Sequence, residues 1–234
     1  MRFGFLHWFR AICRAPTVFE NRRDAALRLA DRLASYKGKN PLVLGIPRGA
    51  VPMARLIAQQ LDGEVDVVLV RKLRAPGNPE FAIGSVDESG LTQVADYAAS
   101  TGADARYVDE EKQLQLDVMR QRRVQYTAQR RAADPAGRVV IVVDDGLATG
   151  STMIAALRAL RRRDPGHLVC AVPVAPPDTA AKVAENCDEL VCLETPEHFQ
   201  AVGQFYRHFP QVEDDEVIAA LQIVEPGANP TRSR

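Results

Sequence analysis

Residues 138–152 read RVVIVVDDGLATGST. An unbroken apolar run from Val139 to Val143 ends abruptly in Asp144 and Asp145. A run without polar alternation is the signature of a strand buried on both faces. The following segment, STMIAALRAL, has helical rather than strand spacing, so a hairpin turn at Asp145–Gly146 does not fit. The stretch therefore reads as buried strand, acid pair, glycine-punctuated turn and helix.

That order has a chemical meaning. A helix N-terminus presents orphan N–H groups and the positive end of the helix dipole, which suit a phosphate. Gly146 and Gly150 permit close backbone approach, and the hydroxyls of Thr149, Ser151 and Thr152 add donors. Helix capping alone would account for one of those hydroxyls. Two carboxylates so close would repel a phosphate, so Asp144 and Asp145 must face sugar hydroxyls or the water shell of a metal ion. A phosphate joined to a diol is a ribose 5-phosphate. Neither the GxxxxGK[ST] phosphate loop nor the GxGxxG dinucleotide fingerprint is present.

Outward from this stretch, buried runs alternate with helical ones. PLVLGI, EVDVVLV, HLVCAVPVA and DELVCLE read as further buried strands. Helices are expected from Asn21 to about Tyr36, after PRGAV, from Asp104 to Ala132, from Ser151 to Arg163 and from Thr179 to Asn186. RKLRAPGNPE reads as a basic loop, and FAIGSV and LTQVA as a hairpin around DESG. This predicts an α/β fold: a single Rossmann-like domain with a mainly parallel central sheet flanked by helices. Ligands of such sheets bind at the carboxyl ends of strands, so the candidate loops follow Ile46, Val70, Val143, Val174 and Glu194.

Composition bounds the partners. The 234 residues carry zero formal net charge, which points to neither a nucleic-acid nor a membrane partner. Arg161, Arg162 and Arg163 sit at a helix end, where cations are favoured anyway. Cys13, Cys170, Cys187 and Cys192 form no CxxC pair, which fits a reducing cytoplasm and argues against a disulfide scaffold or zinc site. The opening apolar run is broken by His7 and Arg10 and has no cleavage pattern. Residues 1–17 are read as an extension, 18–224 as the domain and 225–234 as a flexible tail.

VVDDGLATGST closely resembles the phosphoribosyl pyrophosphate loop of type I phosphoribosyltransferases, whose signature is two acids followed by xxxTGxT. The matching residues are Asp144, Asp145, Ala148, Thr149, Gly150, Ser151 and Thr152. GIPRGAVPMA resembles the family's pyrophosphate loop, with Arg48 supplying charge, Gly49 allowing backbone approach, and the Arg48–Gly49 peptide a candidate for the cis form. Arg71 and Lys72 stand where the family often carries cationic pyrophosphate ligands, and RAPGNPEFAIG resembles its mobile loop. Residues 195–210 would form the hood that holds the acceptor, with Phe199 and Tyr206 as aromatic platforms and Gln200 and Gln204 reading an edge. Phe205 and Phe209 are spaced to pack on one helical face, and His198 and His208 read as surface or packing residues.

The resemblance implies transfer of ribose 5-phosphate from phosphoribosyl pyrophosphate to a nitrogenous, nucleobase-like acceptor, with release of pyrophosphate and with Mg²⁺. Asp144, Asp145, Arg48 and Lys72 would carry the reaction. Asp144 and Asp145 would hold the metal through water. A cytoplasmic homodimer is expected. Ala148 stands where oxopurine-type enzymes usually carry Asp, so the acceptor is open. The alternative is a nucleotide-sensing, RNA-binding regulator, which Arg120, Arg122, Arg123, Arg130 and Arg131 would serve and Glu110, Glu111 and Asp117 oppose.

Overall fold

In the computed structural model, which describes residues 19–128 and 131–222, the valine-rich run is the middle strand of a five-stranded parallel sheet. In chain order the elements are α1 (Arg22–Arg32), β1 (Leu42–Gly45), α2 (Ala50–Leu61), β2 (Glu64–Val67), β3 (Val70–Ala75), β4 (Asn78–Asp87) and β5 (Thr92–Val94). There follow α3 (Ala105–Thr127), β6 (Val139–Val143), α4 (Ser151–Arg161), β7 (His167–Val174), α5 (Pro177–Ala184), β8 (Glu189–Glu194) and α6 (Asp214–Leu221). The parallel sheet has the order β2-β1-β6-β7-β8, and β3-β4-β5 form a separate antiparallel sheet. The α/β expectation holds, with the hairpin expected beside the central sheet realised as this second sheet.

The packing explains why β6 does not alternate. Ile141 and Val143 face the layer that includes α1, α2 and α6, while Val140 and Val142 face α4 and α5. Every position is therefore buried, and each side chain must be apolar. β1 pairs with both β2 and β6, so the strand order reverses between β1 and β6. The register sets Gly45 opposite Val143. The loops leaving these two strands consequently start side by side, at the switch point where open α/β sheets bind ligands.

Several expectations are corrected. EVDVVLV is not one strand: β2 ends at Val67, the Val68 N–H returns to the Gly45 carbonyl at 3.1 Å, and Val70 opens the antiparallel sheet. RKLRAPGNPE is mostly strand, turning at Pro76 and Gly77. It is held by α3. Arg74 pairs with the buried Glu111 at 2.7 Å, the Tyr107 hydroxyl donates to the Arg74 carbonyl at 3.0 Å, and Arg71 donates to Gln115 at 2.8 Å. Only the tip around Pro76–Phe81 has the openness expected of a mobile loop.

Boundaries also move. The first helix ends at Arg32 and is followed by a separate short turn, Ala34–Tyr36. The long helix stops at Thr127, where Ala128 adopts a left-handed conformation, and α4 stops at Arg161. α5 starts at Pro177, a residue suited to a first helical turn because its missing N–H has no partner there. α6, which pattern reading passed over, carries Asp214, Asp215 and Glu216 in its first turn, where the dipole favours acids. The extension 1–17, the tail 225–234 and Arg130 lie outside the described residues. No described helix is long and apolar enough to cross a membrane.

One arginine of α3, Arg123, is spent on packing rather than left for an outside partner. Arg123 donates to the buried Asp66 at 2.7 Å, to the Val67 carbonyl at 3.1 Å and to Glu88 at 2.5 and 2.8 Å. It thereby ties α3 to β2 and to the β4–β5 turn. Arg123→Ala strands buried charge and should lower unfolding free energy by about 3–5 kcal/mol in urea titrations. Arg120→Ala, which breaks the exposed pair with Asp117, should cost no more than about 1 kcal/mol.

Candidate active site

The acid pair sits where β6 ends. The Asp145 N–H donates to Asp144 Oδ1 at 2.9 Å. Burial first, and the Asp145 charge second, push the Asp144 carboxyl well above the usual carboxylate range. Asp145 has a different environment. Its Oδ2 receives Nε and Nη2 of Arg22, each at 2.8 Å, and the two side chains keep only 14% and 17% of their surface. Arg22 Nη1 donates to the Pro210 carbonyl at 2.6 Å, and its guanidinium lies 3.7 Å from the Phe209 ring centroid. The Tyr206 hydroxyl donates to the Asp145 carbonyl at 2.7 Å.

Gly49 completes this junction. A β-carbon there would lie 2.0 Å from Asp145 Oδ2, so only glycine lets the loop from β1 pass the carboxylate. The start of α1, the β1 loop, the β6 loop and the hood all converge on Asp145.

The turn into α4 is shaped from beneath. Gly150 adopts φ +71°, and a β-carbon on it would meet Thr179 Cγ2 at 2.9 Å. Thr179 in turn donates to the Ala148 carbonyl at 2.9 Å. Ala148, Thr149 and Ser151 are exposed. The Thr149 and Ser151 hydroxyls lie 3.2 Å apart, the Ser151 N–H reaches Thr149 Oγ1 at a long 3.5 Å, and the N-cap residue Gly150 has no side chain to offer α4. The leading N–H groups of α4 thus keep the character of an anion site.

The structure distributes the other expected residues unevenly. The cis peptide is Pro47–Arg48, not Arg48–Gly49. Arg48 points to α6, with Nη1 3.2 Å from Glu213 and 3.9 Å from Asp214. Arg71 and Lys72 line a cleft of about 690 Å³ together with Ser151 and Thr152, and Arg48 is not part of its wall. Burial, then the nearby charges of Arg122 and Arg74, lower the pKa of Arg71.

The hood differs most from expectation. Tyr206 is buried, flanked by Phe209 at 4.7 Å and Phe19 at 5.4 Å, so it is no open platform. Burial, then the Asp145 charge, push its phenol strongly upward. Its part is to hold the Asp145 backbone. Phe199 is half-buried and stacked on Phe205 at 5.4 Å. Phe205 ends a short turn, Val202–Phe205, and Tyr206 is extended, so Phe205 and Phe209 share no helical face. The Gln204 amide is spent on the Gln200 and Ala201 N–H groups and the His198 carbonyl. His198 and His208 are exposed, as expected. Cys170 is buried, and burial raises its thiol pKa, which suits a packing role.

Sequence reasoning missed Arg22, Thr179 and Glu213. Arg22 left one signal: with Arg23 it places two cations in the first turn of α1, where the dipole disfavours them.

An acid pair and a helix N-terminus at the switch point of a parallel sheet define an α/β protein whose candidate site lies at the carboxyl ends of its strands. The sequence profile of the phosphoribosyl transferase domain matches residues 15–209, and the chain belongs to that family. Two Mycobacterium tuberculosis proteins, both provisionally named phosphoribosyl transferases, are 42% identical over 205 residues, covering 87% of this chain and 46% of each relative. The chain thus spans about half the length of the curated relatives it matches. A crystal structure of a Thermus thermophilus protein is 45% identical, with a TM-score of 0.78 over 87% of this chain and 97% of that one.

The two acids should respond oppositely to neutralisation. A raised native pKa means that the fold keeps a proton the unfolded chain releases, so stability falls as pH rises from the ordinary carboxylate range through the raised value. Asp144→Asn removes that loss and retains an acceptor for the Asp145 N–H. It should raise the melting temperature at pH 7, with the gain vanishing below about pH 4. Asp145→Asn weakens the Arg22 pair and should cost about 1.5–3 kcal/mol at pH 7 in the same melts.

Proposed function

We propose that the protein transfers the 5-phosphoribosyl group of phosphoribosyl pyrophosphate to a nitrogenous acceptor of nucleobase type, releasing pyrophosphate. The observation that carries this reading is one junction. The acid pair and the N-terminus of α4 follow the same strand, and Asp145 packs on Gly49 of the loop from the neighbouring strand. A ligand with a phosphate at one end, a diol in the middle and a second anionic group beyond matches that order.

In this reading, backbone N–H groups from Thr149 to Thr152 bind the 5-phosphate. Asp144 and the free oxygen of Asp145 accept from the ribose hydroxyls. As the bond from C1 to the pyrophosphate oxygen lengthens, its electron pair leaves with pyrophosphate and the ring gains positive charge. The fixed carboxylates favour that charge. The acceptor nitrogen donates its lone pair to C1 and loses its proton to solvent or a nearby base. Arg48 and Lys72 offset the charge on the departing group, which requires Arg48 to exchange Glu213 for pyrophosphate. No covalent nucleophile is needed, and positioning supplies much of the rate.

Two adjacent carboxylates, one already engaged by Arg22, do not make a cage for a resident metal. They do fit Mg²⁺ arriving on a diphosphate, since that ion keeps several waters and takes one or two carboxylates plus substrate phosphates. Asp144 and Asp145 would hold it through water, and it would neutralise charge on the leaving group. Of the hood aromatics, Phe199 is the one left to contact the acceptor. A cytoplasmic homodimer goes with this reading. The RNA-binding alternative loses support because Arg123 is consumed internally and Arg120 pairs with Asp117 at 2.8 Å.

Two measurements test the proposal. Isothermal calorimetry should show Mg²⁺–phosphoribosyl pyrophosphate binding that disappears in a folded Asp144→Asn/Asp145→Asn double variant; unchanged affinity would refute the site. Pyrophosphate release across a panel of bases should identify the acceptor, and no release with any of them would argue for a binding protein. Arg48→Ala should weaken pyrophosphate about ten- to a hundredfold while sparing ribose 5-phosphate.

A further inference from the structure

Residues 210–214 run between two arginines of the site. At the start of the segment the Pro210 carbonyl accepts from Arg22 Nη1 at 2.6 Å, and at its end Glu213 and Asp214 face Arg48. Glu213 Oε2 accepts from Arg48 Nη1 at 3.2 Å, and Asp214 Oδ1 lies 3.9 Å from the same nitrogen. Packing, not Arg48, puts these acids there. Val212 before them and Val217 and Leu221 after them are buried in the core layer shared with α1 and α2. Asp214 is also fixed from α3: the Tyr126 hydroxyl donates to its Oδ1 at 2.8 Å, and Gln125 Nε2 donates to its Oδ2 at 3.3 Å. The dipole of α6 favours negative charge in its first turn whether or not a cation is near.

A guanidinium facing carboxylate oxygens meets the same kind of acceptor that a diphosphate would offer it. A second anion brought to Arg48 would be repelled by both acids. The Glu213 contact is also one that can be broken. Its side chain keeps 64% of its surface and that of Arg48 keeps 32%, so water competes for both groups and the pair is weak.

We propose that Glu213, backed by Asp214, is an internal competitor for the pyrophosphate end of the ligand. α6 holds Arg48, and the leaving group binds there by displacing the carboxylate. The clamp lowers the affinity of any ligand that uses Arg48. It returns to Arg48 as pyrophosphate departs, which speeds product release. A ligand that touches only the acid pair and the turn into α4 escapes it. This regulation rests on the function proposed above, which puts pyrophosphate at Arg48.

Calorimetry of the full chain with Mg²⁺–pyrophosphate and, separately, with ribose 5-phosphate tests the clamp. Glu213→Ala removes an exposed ion pair and should tighten pyrophosphate about two- to fivefold, with ribose 5-phosphate at wild-type affinity. Asp215→Ala is the control, because it removes the same charge from the same turn. Asp215 is exposed and takes no part in the Arg48 pairs, so this variant should change neither ligand. In an Arg48→Ala background Glu213→Ala should have no effect, since the competitor then has nothing to hold. Should Glu213→Ala lower the melting temperature, Glu213→Gln takes its place, with tightening again expected. No tightening, equal tightening of both ligands, an equal gain in Asp215→Ala, or a gain that survives Arg48→Ala would each overturn the clamp. Pyrophosphate binding that is weakened by Arg48→Ala yet unmoved by Glu213→Ala defeats the clamp alone and leaves the transferase reading standing. Pyrophosphate that fails to bind the wild type, or binds indifferently to Arg48→Ala, overturns the clamp together with the role given to Arg48 in that reading.

Discussion

The contact between Arg22 and Asp145 organises the site. One guanidinium binds the carboxylate through two nitrogens, reaches the Pro210 carbonyl and covers the Phe209 ring. It thereby joins the first helix, the acid pair and the hood, which are distant in the chain. The pair also separates two acids that are neighbours in sequence. Asp145 receives a counter-cation, whereas Asp144 is left with burial and a like charge beside it. Such an arrangement opposes stability, and perturbed carboxyls of this kind cluster at functional sites.

The register of two strands sets the scale of the site. Gly45 opposite Val143 starts both loops from one level, and Gly49 lets them touch without a side chain between. α5 supports the turn into α4 through Thr179, and α6 occupies Arg48 through Glu213 and Asp214. The antiparallel sheet forms the opposite bank. Its cations point where they do because α3 offers Glu111 and Gln115 as fixed partners, which no local pattern in RKLRAPGNPE foretells.

Much of the parallel fold was legible because its cause is local. A strand covered on both faces has to be apolar at every position, and the helices between strands carry a recognisable period. The acid pair and the turn after it were legible for the same reason, since one short segment supplies strand end, glycines, hydroxyls and helix start. EVDVVLV misled because an apolar run does not say where a chain changes sheets. RKLRAPGNPE misled because Pro, Gly and charge resemble a loop until the partners for Arg71 and Arg74 are known. The hood misled because residues 199–209 suggested a helical face, and the chain instead makes one short turn before Tyr206 extends beneath the acid pair.

By itself, the sequence determined the layered α/β architecture, the position of the glycine-punctuated turn into α4 and the presence of two carboxylates beside it, because each follows from residues within a few positions of one another. Tertiary structure alone decided which acid is paired, that Tyr206 supports rather than stacks, that Arg48 faces α6, and that four cations from β3 and α4 surround one cleft. Those outcomes depend on contacts across sheets and between chain ends. Electrostatic environment is set by what lies within a few ångströms in space, and adjacency in sequence constrains that only inside a single element.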